Sequence, residues 1–307
     1  MISVIIPAYN CRDTISRCLN SLISQTIFPK FEIIVIDDGS TDDTLKIIKK
    51  YSCQYSNIKA IRKKNGGASS ARNCGIKHCT GKYVTFCDSD DTLDPDFLEK
   101  IQEGFMKPDI DIVFCSYKKI NKNTVKIFRF KRGEIKTRKK LIKRFVKRTI
   151  PTNVCAKAYK TEILTRNNIG FREDVVIGED LLFLYEYLLF AKSGVVIDCN
   201  GYNYYHNDSS VMNAGRDELF YDCVRASEEI ARRRNYDKVG KAILLYERCK
   251  YLEYVGCCKA KKSRWVRRCV NKERVIDYVS LLTFKQLLYV FLVKYFEGII
   301  AMRRREK

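Results

Sequence analysis

The chain has 307 residues, of which 46 % are hydrophobic and 31 % are charged, and this composition excludes a disordered chain. The net charge is +22, but residues 1–115 hold 15 basic and 15 acidic side chains, so the whole excess lies after residue 115. Such one-sided charge predicts a polyanionic partner, which is a nucleic acid, an anionic membrane or an anionic acceptor.

The 14 cysteines do not have the spacing of a metal or redox motif, because no CxxC occurs. Several lie inside apolar runs, such as residues 84–87 and 113–115, where they are predicted to be buried free thiols. The first residues lack the layout of a signal peptide, and no apolar run reaches the roughly 18 residues of a spanning helix. We therefore expect a protein of the reducing cytoplasm.

Apolar strands and amphipathic helices are predicted to alternate over the first 115 residues. The predicted strands cover residues 3–6, 31–36, 58–61, 83–87 and 111–117, with helices between them, the last two over residues 68–78 and 94–106. Short β-branched runs between amphipathic helices indicate a mostly parallel sheet that is covered on both faces.

The remainder of the chain has a different character. Residues 118–148 are strongly basic and contain a single acid, Glu134. Residues 150–197 are predicted to be globular, and residues 215–260 are predicted to be helical. The tail, residues 284–302, has apolar side chains at helical spacing, which is typical of an amphipathic helix.

Four loops follow the first four predicted strands, at residues 7–10, 37–42, 65–73 and 88–91. Because the carboxyl ends of parallel strands meet at one edge of a sheet, these loops are predicted to form one ligand site. They supply carboxylates, backbone amides, an aromatic ring and an arginine, as a nucleotide diphosphate requires. The DSDD turn at residues 88–91 would repel a diphosphate unless a cation lay between them, and its oxygen ligands favour Mg²⁺ or Mn²⁺.

The four loops together resemble those of family 2 glycosyltransferases with a GT-A fold. The matching segments are SVIIPAYN at residues 3–10, IDDGSTD at 36–42, NGG at 65–67 with ARN at 71–73, and DSDD at 88–91. The resemblance is close over residues 1–115 and looser to about residue 212. It implies an α/β GT-A fold with a mostly parallel sheet flanked by helices and a C-terminal helical extension.

The resemblance also implies a division of the chain. Residues 1–212 would form the glycosyltransferase domain, with a nucleotide-binding half over residues 1–115 and an acceptor half over residues 116–212. Residues 213–307 would form the basic helical extension. The residues that would contact the base and ribose of a nucleotide sugar are Pro7, Ala8, Tyr9, Asp38 and Arg72.

Metal binding is implied for the DSDD turn. Asp90 would bind Mg²⁺ or Mn²⁺, Asp88 would face the ribose or the metal, and Asp91 has the least defined role. His206 stands where many relatives have an arginine, so a metal ligand, a diphosphate contact and a polar surface residue all remain open.

The second half of the family pattern supplies a general base. Glu179 and Asp180 open an apolar helix, and the resemblance implies that Asp180 takes the proton of the acceptor hydroxyl. The alternative is that both residues only cap the helix. Lys157 lies in a segment, residues 153–159, that resembles one near the donor in relatives, where it would neutralise phosphate.

The predicted function is inverting transfer of a sugar, from a donor that is UDP-linked, to a glycan or lipid-linked acceptor in surface polysaccharide or glycolipid synthesis. The alternatives are a sugar nucleotidyltransferase and a non-catalytic protein that binds nucleotide or nucleic acid. No nucleic-acid-reading module occurs, so we expect no nucleic-acid partner. The basic second half and amphipathic tail favour peripheral contact with an anionic membrane at its inner face, although the tail could equally be a core helix.

Overall fold

The computed structural model describes residues 1–107, 109–122, 124–206, 217–233, 237–255, 261–278 and 280–295. The strands in this part are β1 (Ile2–Ala8), β2 (Glu32–Asp37), β3 (Ile58–Arg62), β4 (Tyr83–Phe86), β5 (Thr92–Leu93), β6 (Ile112–Phe114), β7 (Tyr117–Asn121), β8 (Thr124–Phe128), β9 (Gly133–Ile135), β10 (Lys157–Lys160), β11 (Gly194–Val196) and β12 (Tyr202–Tyr205).

The helices are distributed along the whole described chain. They are α1 (Ile15–Ile23), α2 (Thr44–Gln54), α3 (Gly67–His78), α4 (Phe97–Met106), α5 (Arg138–Val146), α6 (Thr161–Arg166), α7 (Glu179–Leu188), α8 (Asp217–Arg233), α9 (Lys238–Val255), α10 (Lys261–Lys272) and α11 (Phe284–Tyr295). Within the described residues, no helix is long and apolar enough to cross a bilayer.

The large sheet has the strand order β3-β2-β1-β4-β10-β6-β11-β9. Strands β1 to β4 are mutually parallel, β10 runs antiparallel between β4 and β6, and β11 is parallel to β6. The prediction of a mostly parallel sheet is confirmed. The loops after β1, β2, β3 and β4 therefore leave the sheet at one edge.

Strand β2 shows why the sheet is covered on both faces. All its residues are buried, and successive side chains of a strand point to opposite faces. Ile33 and Val35 belong to the main core, whereas Ile34 and Ile36 pack with Ala71 of α3 in a second cluster. A run of uninterrupted Ile and Val is what burial on both faces requires.

A smaller sheet with the order β5-β12-β7-β8 lies beside the large one and was not predicted. Strand β12 is antiparallel to β5 and parallel to β7, and β7 and β8 form an antiparallel pair. Since β5 directly follows Asp91, this sheet is attached to the acidic turn that ends β4.

The C-terminal helices pack onto the sheet-bearing part of the chain. Arg233 of α8 pairs with Glu186 of α7 at 2.7 Å, and Arg148 pairs with the buried Glu247 of α9. The side-chain amide of Gln286 in α11 donates to the Val146 carbonyl at 3.0 Å. Helices α8 and α9 lie inside the predicted helical region 215–260 and α11 lies inside the predicted tail 284–302, whereas α10 follows the predicted region. Residues 215–216, 234–236, 256–260 and 296–302 of these ranges fall outside the described chain.

The predicted domain boundary at residue 212 stays a prediction, because residues 207–216 lie outside the described part of the chain. The prediction of free thiols is confirmed for every described cysteine, most of which are buried or half-buried.

Candidate active site

Backbone and side-chain hydrogen bonds join the first two loops at the carboxyl edge of the sheet. The Asp38 amide donates to the Ala8 carbonyl at 2.8 Å, which continues the pairing of β1 with β2. The Asn10 amide donates to the Ser40 hydroxyl at 3.0 Å, and the Asn10 side chain accepts from the Thr41 amide at 2.9 Å. The two loops thus form one rigid rim.

Asp38 fixes the third loop to this rim. Its buried carboxylate accepts hydrogen bonds from the Gly67 amide at 2.7 Å and the Gly66 amide at 3.1 Å, and it pairs with Lys63 at 2.6 Å. Asp38 was predicted to contact base or ribose, and in the structure it holds the glycine turn that opens α3. The surface cleft beside this turn is lined by Gly39, Arg62, Lys63, Lys64 and Asn65.

The predicted aromatic contact lies at the opening of the site. Tyr9 is 50 % exposed directly after β1, Pro7 is partly buried, and Ala8 is buried. An exposed ring on a rim held by hydrogen bonds is available for stacking on a flat ligand. The base contact predicted for these three residues stays a prediction.

Arg72 is the residue that joins the two acidic parts of the site. Its guanidinium is buried in α3 and lies 3.0 Å from Asp88 Oδ1, 3.3 Å from Glu179 Oε1 and 3.6 Å from Asp180 Oδ1. Burial disfavours the charge of Arg72, but the surrounding carboxylates, Asp88 first, outweigh it and raise its pKa. The turn after β4 and the start of α7 therefore meet on one cation.

Asp180 is held by one oxygen and leaves the other without a hydrogen bond. Its Oδ2 accepts from the Val154 amide at 2.8 Å, whereas its Oδ1 is buried and has no hydrogen-bond partner among the described residues. Burial raises the pKa of Asp180, although Arg72 and the Val154 amide act in the opposite direction. A carboxylate oriented in this way, with a raised pKa, is suited to accept a proton.

Glu179 shares the environment of Asp180. Burial, followed by the charge of Asp180, raises the pKa of Glu179 to about 8, against the influence of Arg72. Gly178 precedes it with a φ of 98°, a left-handed conformation that a glycine adopts without strain. Both acids lie in the first turn of α7, so the alternative in which they cap the helix through its dipole stays open beside the proposed base.

The three acids of the DSDD turn have different surroundings. Asp88 is 30 % exposed and contacts both Arg72 and the thiol of Cys155, whose Sγ lies 3.6 Å from its Oδ2. Asp91 is fully buried and accepts hydrogen bonds from the Tyr202 hydroxyl and the Tyr205 amide. Burial, then the charges of Asp88 and Asp90, raise the pKa of Asp91 to about 8. Asp91 thus anchors β12 to the turn.

The predicted metal ligands are not gathered into one set. In the part of the chain that the structure describes, no three His, Cys, Asp or Glu side chains form a group that could hold a metal ion. The exposed His206 does not complete a set with Asp88 and Asp90, and its amide donates to the Ile120 carbonyl at 2.9 Å. The chain itself then offers the carboxylate oxygens of the turn, where Asp88 pairs with Arg72. Oxygen donors of this kind fit a divalent cation with phosphate oxygens as further ligands.

Lys157 lies inside the protein rather than at its surface. It is fully buried at the start of β10, and its ammonium donates to the carbonyls of Asn153 and Cys155. Burial lowers the pKa of Lys157 to about 8, although Asp180 acts to raise it. Its predicted contact with phosphate stays a prediction, and its observed partners are the loop that presents the Val154 amide to Asp180.

Sequence reasoning missed three members of this cluster. Cys155 contacts Asp88, the Val154 amide orients Asp180, and Tyr202 binds Asp91. Tyr202 lies 111 residues from Asp91, so no local spacing in the sequence points to the pair. Val154 and Cys155 lie in the segment 153–159 that was singled out for Lys157, and this resemblance was the one signal that pointed to them.

Comparison with known proteins identifies the family of the chain. The family model for Glycosyl transferase family 2 matches residues 3–166. "Uncharacterized glycosyltransferase YibD" of Escherichia coli is 31 % identical over 225 residues, which are 70 % of this chain and 64 % of YibD. The poly(ribitol-phosphate) β-N-acetylglucosaminyltransferase TarS of Staphylococcus aureus is 33 % identical over 205 residues, which are 66 % of this chain and 35 % of TarS. The chain thus spans less than two thirds of the length of either relative.

Solved structures with the same fold include ligand complexes. TarS 1–349 in complex with UDP aligns with a TM-score of 0.71 and 24 % identity over 100 % of this chain and 92 % of that one. The mannosyltransferase PcManGT of Pyrobaculum calidifontis, in complex with GDP-Man and Mn²⁺, aligns with a TM-score of 0.57 and 16 % identity over 97 % of this chain and 87 % of that one. The predicted GT-A fold is confirmed. From its strand-end loops and the match over more than half of its length, the chain belongs to glycosyl transferase family 2.

Proposed function

We propose that the protein transfers a sugar from a UDP-linked donor to a glycan or lipid-linked acceptor, with inversion at the anomeric carbon. The observation that carries the proposal is the contact of Arg72 with Asp88 on one side and with Glu179 and Asp180 on the other. This contact joins a turn suited to a diphosphate with a carboxylate suited to a proton. The UDP complex of the TarS fragment supports the choice of nucleotide.

Proton transfer falls to Asp180 in this proposal. Asp180 Oδ1 takes the proton of the acceptor hydroxyl while the hydroxyl oxygen bonds to the anomeric carbon of the donor sugar. The bond from that carbon to the diphosphate breaks, and its electron pair leaves with UDP. The Val154 amide keeps Oδ2 in place at 2.8 Å, so that Oδ1 keeps its direction.

The donor is proposed to lie along the edge of the sheet. Tyr9 stacks on the base, the rim of Pro7 and Ala8 borders it, and Asp38 keeps the glycine turn in shape. Asp90 and Asp88 would hold Mg²⁺ or Mn²⁺, which when bound neutralises charge that develops on the leaving diphosphate. Arg72 keeps the Asp88 carboxylate oriented toward the same region.

The amphipathic helix α11 supports peripheral contact of the protein with an anionic membrane, at its cytoplasmic face. Phe284, Leu288 and Phe291 are 81 %, 46 % and 43 % exposed, and their spacing puts them on one face of the helix. Binding to phosphatidylglycerol vesicles that a Phe284→Ser/Leu288→Ser variant loses, with unchanged melting temperature, would be the expected result. Equal sedimentation of both proteins with the vesicles would contradict it.

A donor screen tests the proposed reaction. Purified protein is incubated with UDP-glucose, UDP-galactose, UDP-N-acetylglucosamine, UDP-N-acetylgalactosamine and UDP-glucuronate, with Mn²⁺ or with EDTA, and released nucleotide is measured. We expect metal-dependent release of UDP from one donor. Release of inorganic diphosphate would instead indicate a nucleotidyltransferase, and silence from every donor with no thermal shift by UDP and Mn²⁺ would overturn the proposal.

A further inference from the structure

Two lysines of the small sheet face each other without an acidic partner. Lys119 of β7 and Lys126 of β8 are directly opposite in the antiparallel register. Neither ammonium has a carboxylate within ion-pair distance among the described residues, whereas the adjacent Lys118 pairs with Asp94 at 2.6 Å. Like charges directly opposite on a sheet destabilise it. The hairpin therefore carries a charge arrangement that an anion would relieve.

The same face carries aromatic rings. Parallel register puts Tyr204 of β12 beside Lys119, whose ammonium lies 5.9 Å from the Tyr204 ring centroid. The Lys126 ammonium lies 5.2 Å from the centroid of Phe128, and Phe128 stacks on Tyr117 at 4.8 Å. Cations next to aromatic rings form a surface that suits charged sugars, because the rings can pack on the apolar faces of pyranoses and the cations can bind the anionic groups.

Tyr204, Lys119 and Lys126 form a row across the three strands, and this row begins at the candidate active site. Tyr204 is half-buried, and the charges of Asp91, Asp88 and Asp90 contribute, after burial, to raising its pKa to about 12. Tyr202 and Tyr205 on the same strand hold Asp91. Since neighbouring strands lie about 5 Å apart, the row from Tyr204 through Lys119 to Lys126 crosses roughly 10 Å from the acidic turn to the open edge of β8.

We propose that this row, Tyr204, Lys119 and Lys126, is a docking surface for an anionic acceptor glycan, one that carries phosphate or carboxylate groups along its chain. The inference rests on the proposed function and adds the charge of the acceptor to it. A membrane does not fit this row as well, because the exposed apolar side chains of the same hairpin, Val125 and Ile127, alternate with Lys126 and so lie on the opposite face of β8. An extended chain matches a row that starts at the carboxylate turn and leaves the sheet at an edge strand.

The test compares a double variant, Lys119→Gln/Lys126→Gln, with the wild type in direct binding. Fluorescently labelled chondroitin and poly(ribitol phosphate) are the anionic probes, and dextran is the neutral one. We expect the wild type to prefer an anionic probe and the double variant to bind it about tenfold more weakly, since each exposed charge contact contributes modestly. The variant Lys119→Arg/Lys126→Arg should keep the binding.

Matched controls separate charge from structure. Lys46 and Lys49 are exposed on α2, beside the opposite end of the large sheet, and Lys46→Gln/Lys49→Gln removes the same charge. This control should bind like the wild type. If the lysine pair binds an anion and has no structural role, the melting temperature of Lys119→Gln/Lys126→Gln should equal or exceed that of the wild type, because the repulsion between two facing charges is removed. A structural role would lower the melting temperature instead.

Three outcomes would overturn the inference. The first is equal binding of the anionic glycans by the wild type and Lys119→Gln/Lys126→Gln. The second is an equal loss of this binding in Lys119→Gln/Lys126→Gln and Lys46→Gln/Lys49→Gln. The third is a loss of binding that is seen only with phosphatidylglycerol vesicles or duplex DNA. The measurement is acceptor binding in the absence of a donor, so a negative result would not bear on the proposed transfer reaction. A protein that releases UDP but ignores anionic glycans would keep the proposed function and lose this surface.

Discussion

The turn after β4 and the start of α7 are both acidic, and both contact Arg72, but their surroundings differ. The side chains of Asp88 and Asp180 are 30 % and 26 % exposed, but Asp180 Oδ1 is buried, and burial raises the pKa values of Glu179 and Asp180, that of Glu179 to about 8. Carboxylates that remain near water can meet a cation and a diphosphate. Carboxylates that are desolvated hold a proton more readily, so environment gives the same chemical group two different functions.

Removing the proton acceptor should have the largest effect. We expect Asp180→Asn to reduce turnover about a thousandfold, because an amide cannot take the acceptor proton and general base catalysis contributes on this scale. Turnover is measured as UDP release, and UDP binding is followed by thermal shift. The control is Asp174→Asn, an exposed acid whose ion pair with Arg172 lies outside the cluster. Unchanged turnover in Asp180→Asn with normal UDP binding would assign the base elsewhere.

Removing a metal ligand from the DSDD turn should have the next largest effect on turnover. Loss of even an outer-shell partner costs about 10- to 100-fold in metal affinity, so we expect Asp90→Ala to weaken activation by Mn²⁺ about a hundredfold. The measurement is UDP release against Mn²⁺ concentration, with EDTA as the zero point. Full turnover of Asp90→Ala at the same Mn²⁺ concentration would show that Asp90 does not bind the ion.

Asp91 tests whether the buried acid of the turn is structural. Asp91→Ala leaves the Tyr202 hydroxyl and the Tyr205 amide without their acceptor, which should lower the free energy of unfolding by about 1–3 kcal/mol. Urea denaturation measures it. The exposed Asp13→Ala should stay within about 0.5 kcal/mol of the wild type. An equally small change for Asp91→Ala would remove the anchoring role.

The same residue predicts a pH dependence of stability. The folded-state pKa of Asp91 is raised to about 8, so between about pH 4 and pH 8 the unfolded chain loses this proton while the folded protein keeps it. The contribution of Asp91 to stability is therefore present at low pH and is lost as the pH rises through that range. Asp91→Asn should reduce this decline, and an identical slope in the two proteins would contradict it.

Glu179 should give the smallest effect on turnover. With a pKa of about 8, it is mostly protonated at pH 7, and Gln resembles the protonated form. We therefore expect Glu179→Gln to lower kcat/KM by less than about tenfold at that pH. A loss as large as that in Asp180→Asn would move the role of base to Glu179.

The predictable part of the fold is the part in which local pattern and burial agree. Strand β2 is a run of Ile and Val because both faces of the sheet cover it, so its sequence alone indicates a buried strand. The hairpin of β7 and β8 was missed because its strands are Lys-rich and exposed. It is held by register with β12 and by the anchoring of β12 to Asp91, which no local pattern encodes.

The site divides in the same way. Loops that follow parallel strands were predicted to meet, because the geometry of such sheets brings their ends together. The contact of Arg72 with Glu179, 107 residues away, and the role of the Val154 amide depend on how α7 and β10 pack, which one sequence does not reveal. The roles of Tyr9, Lys157 and His206 remain predictions for the same reason.

The most direct test of the account is the pH dependence of kcat/KM for UDP release from the donor that the screen identifies. Burial raises the pKa of Asp180, and the base must be ionised to act, so activity should decline with falling pH before the ordinary aspartate value of about 3.9 is reached. The residual activity of Asp180→Asn should lack this decline. A wild-type profile that declines only at or below the ordinary aspartate value, or an identical decline in the variant, would contradict the assignment of Asp180 as the desolvated base.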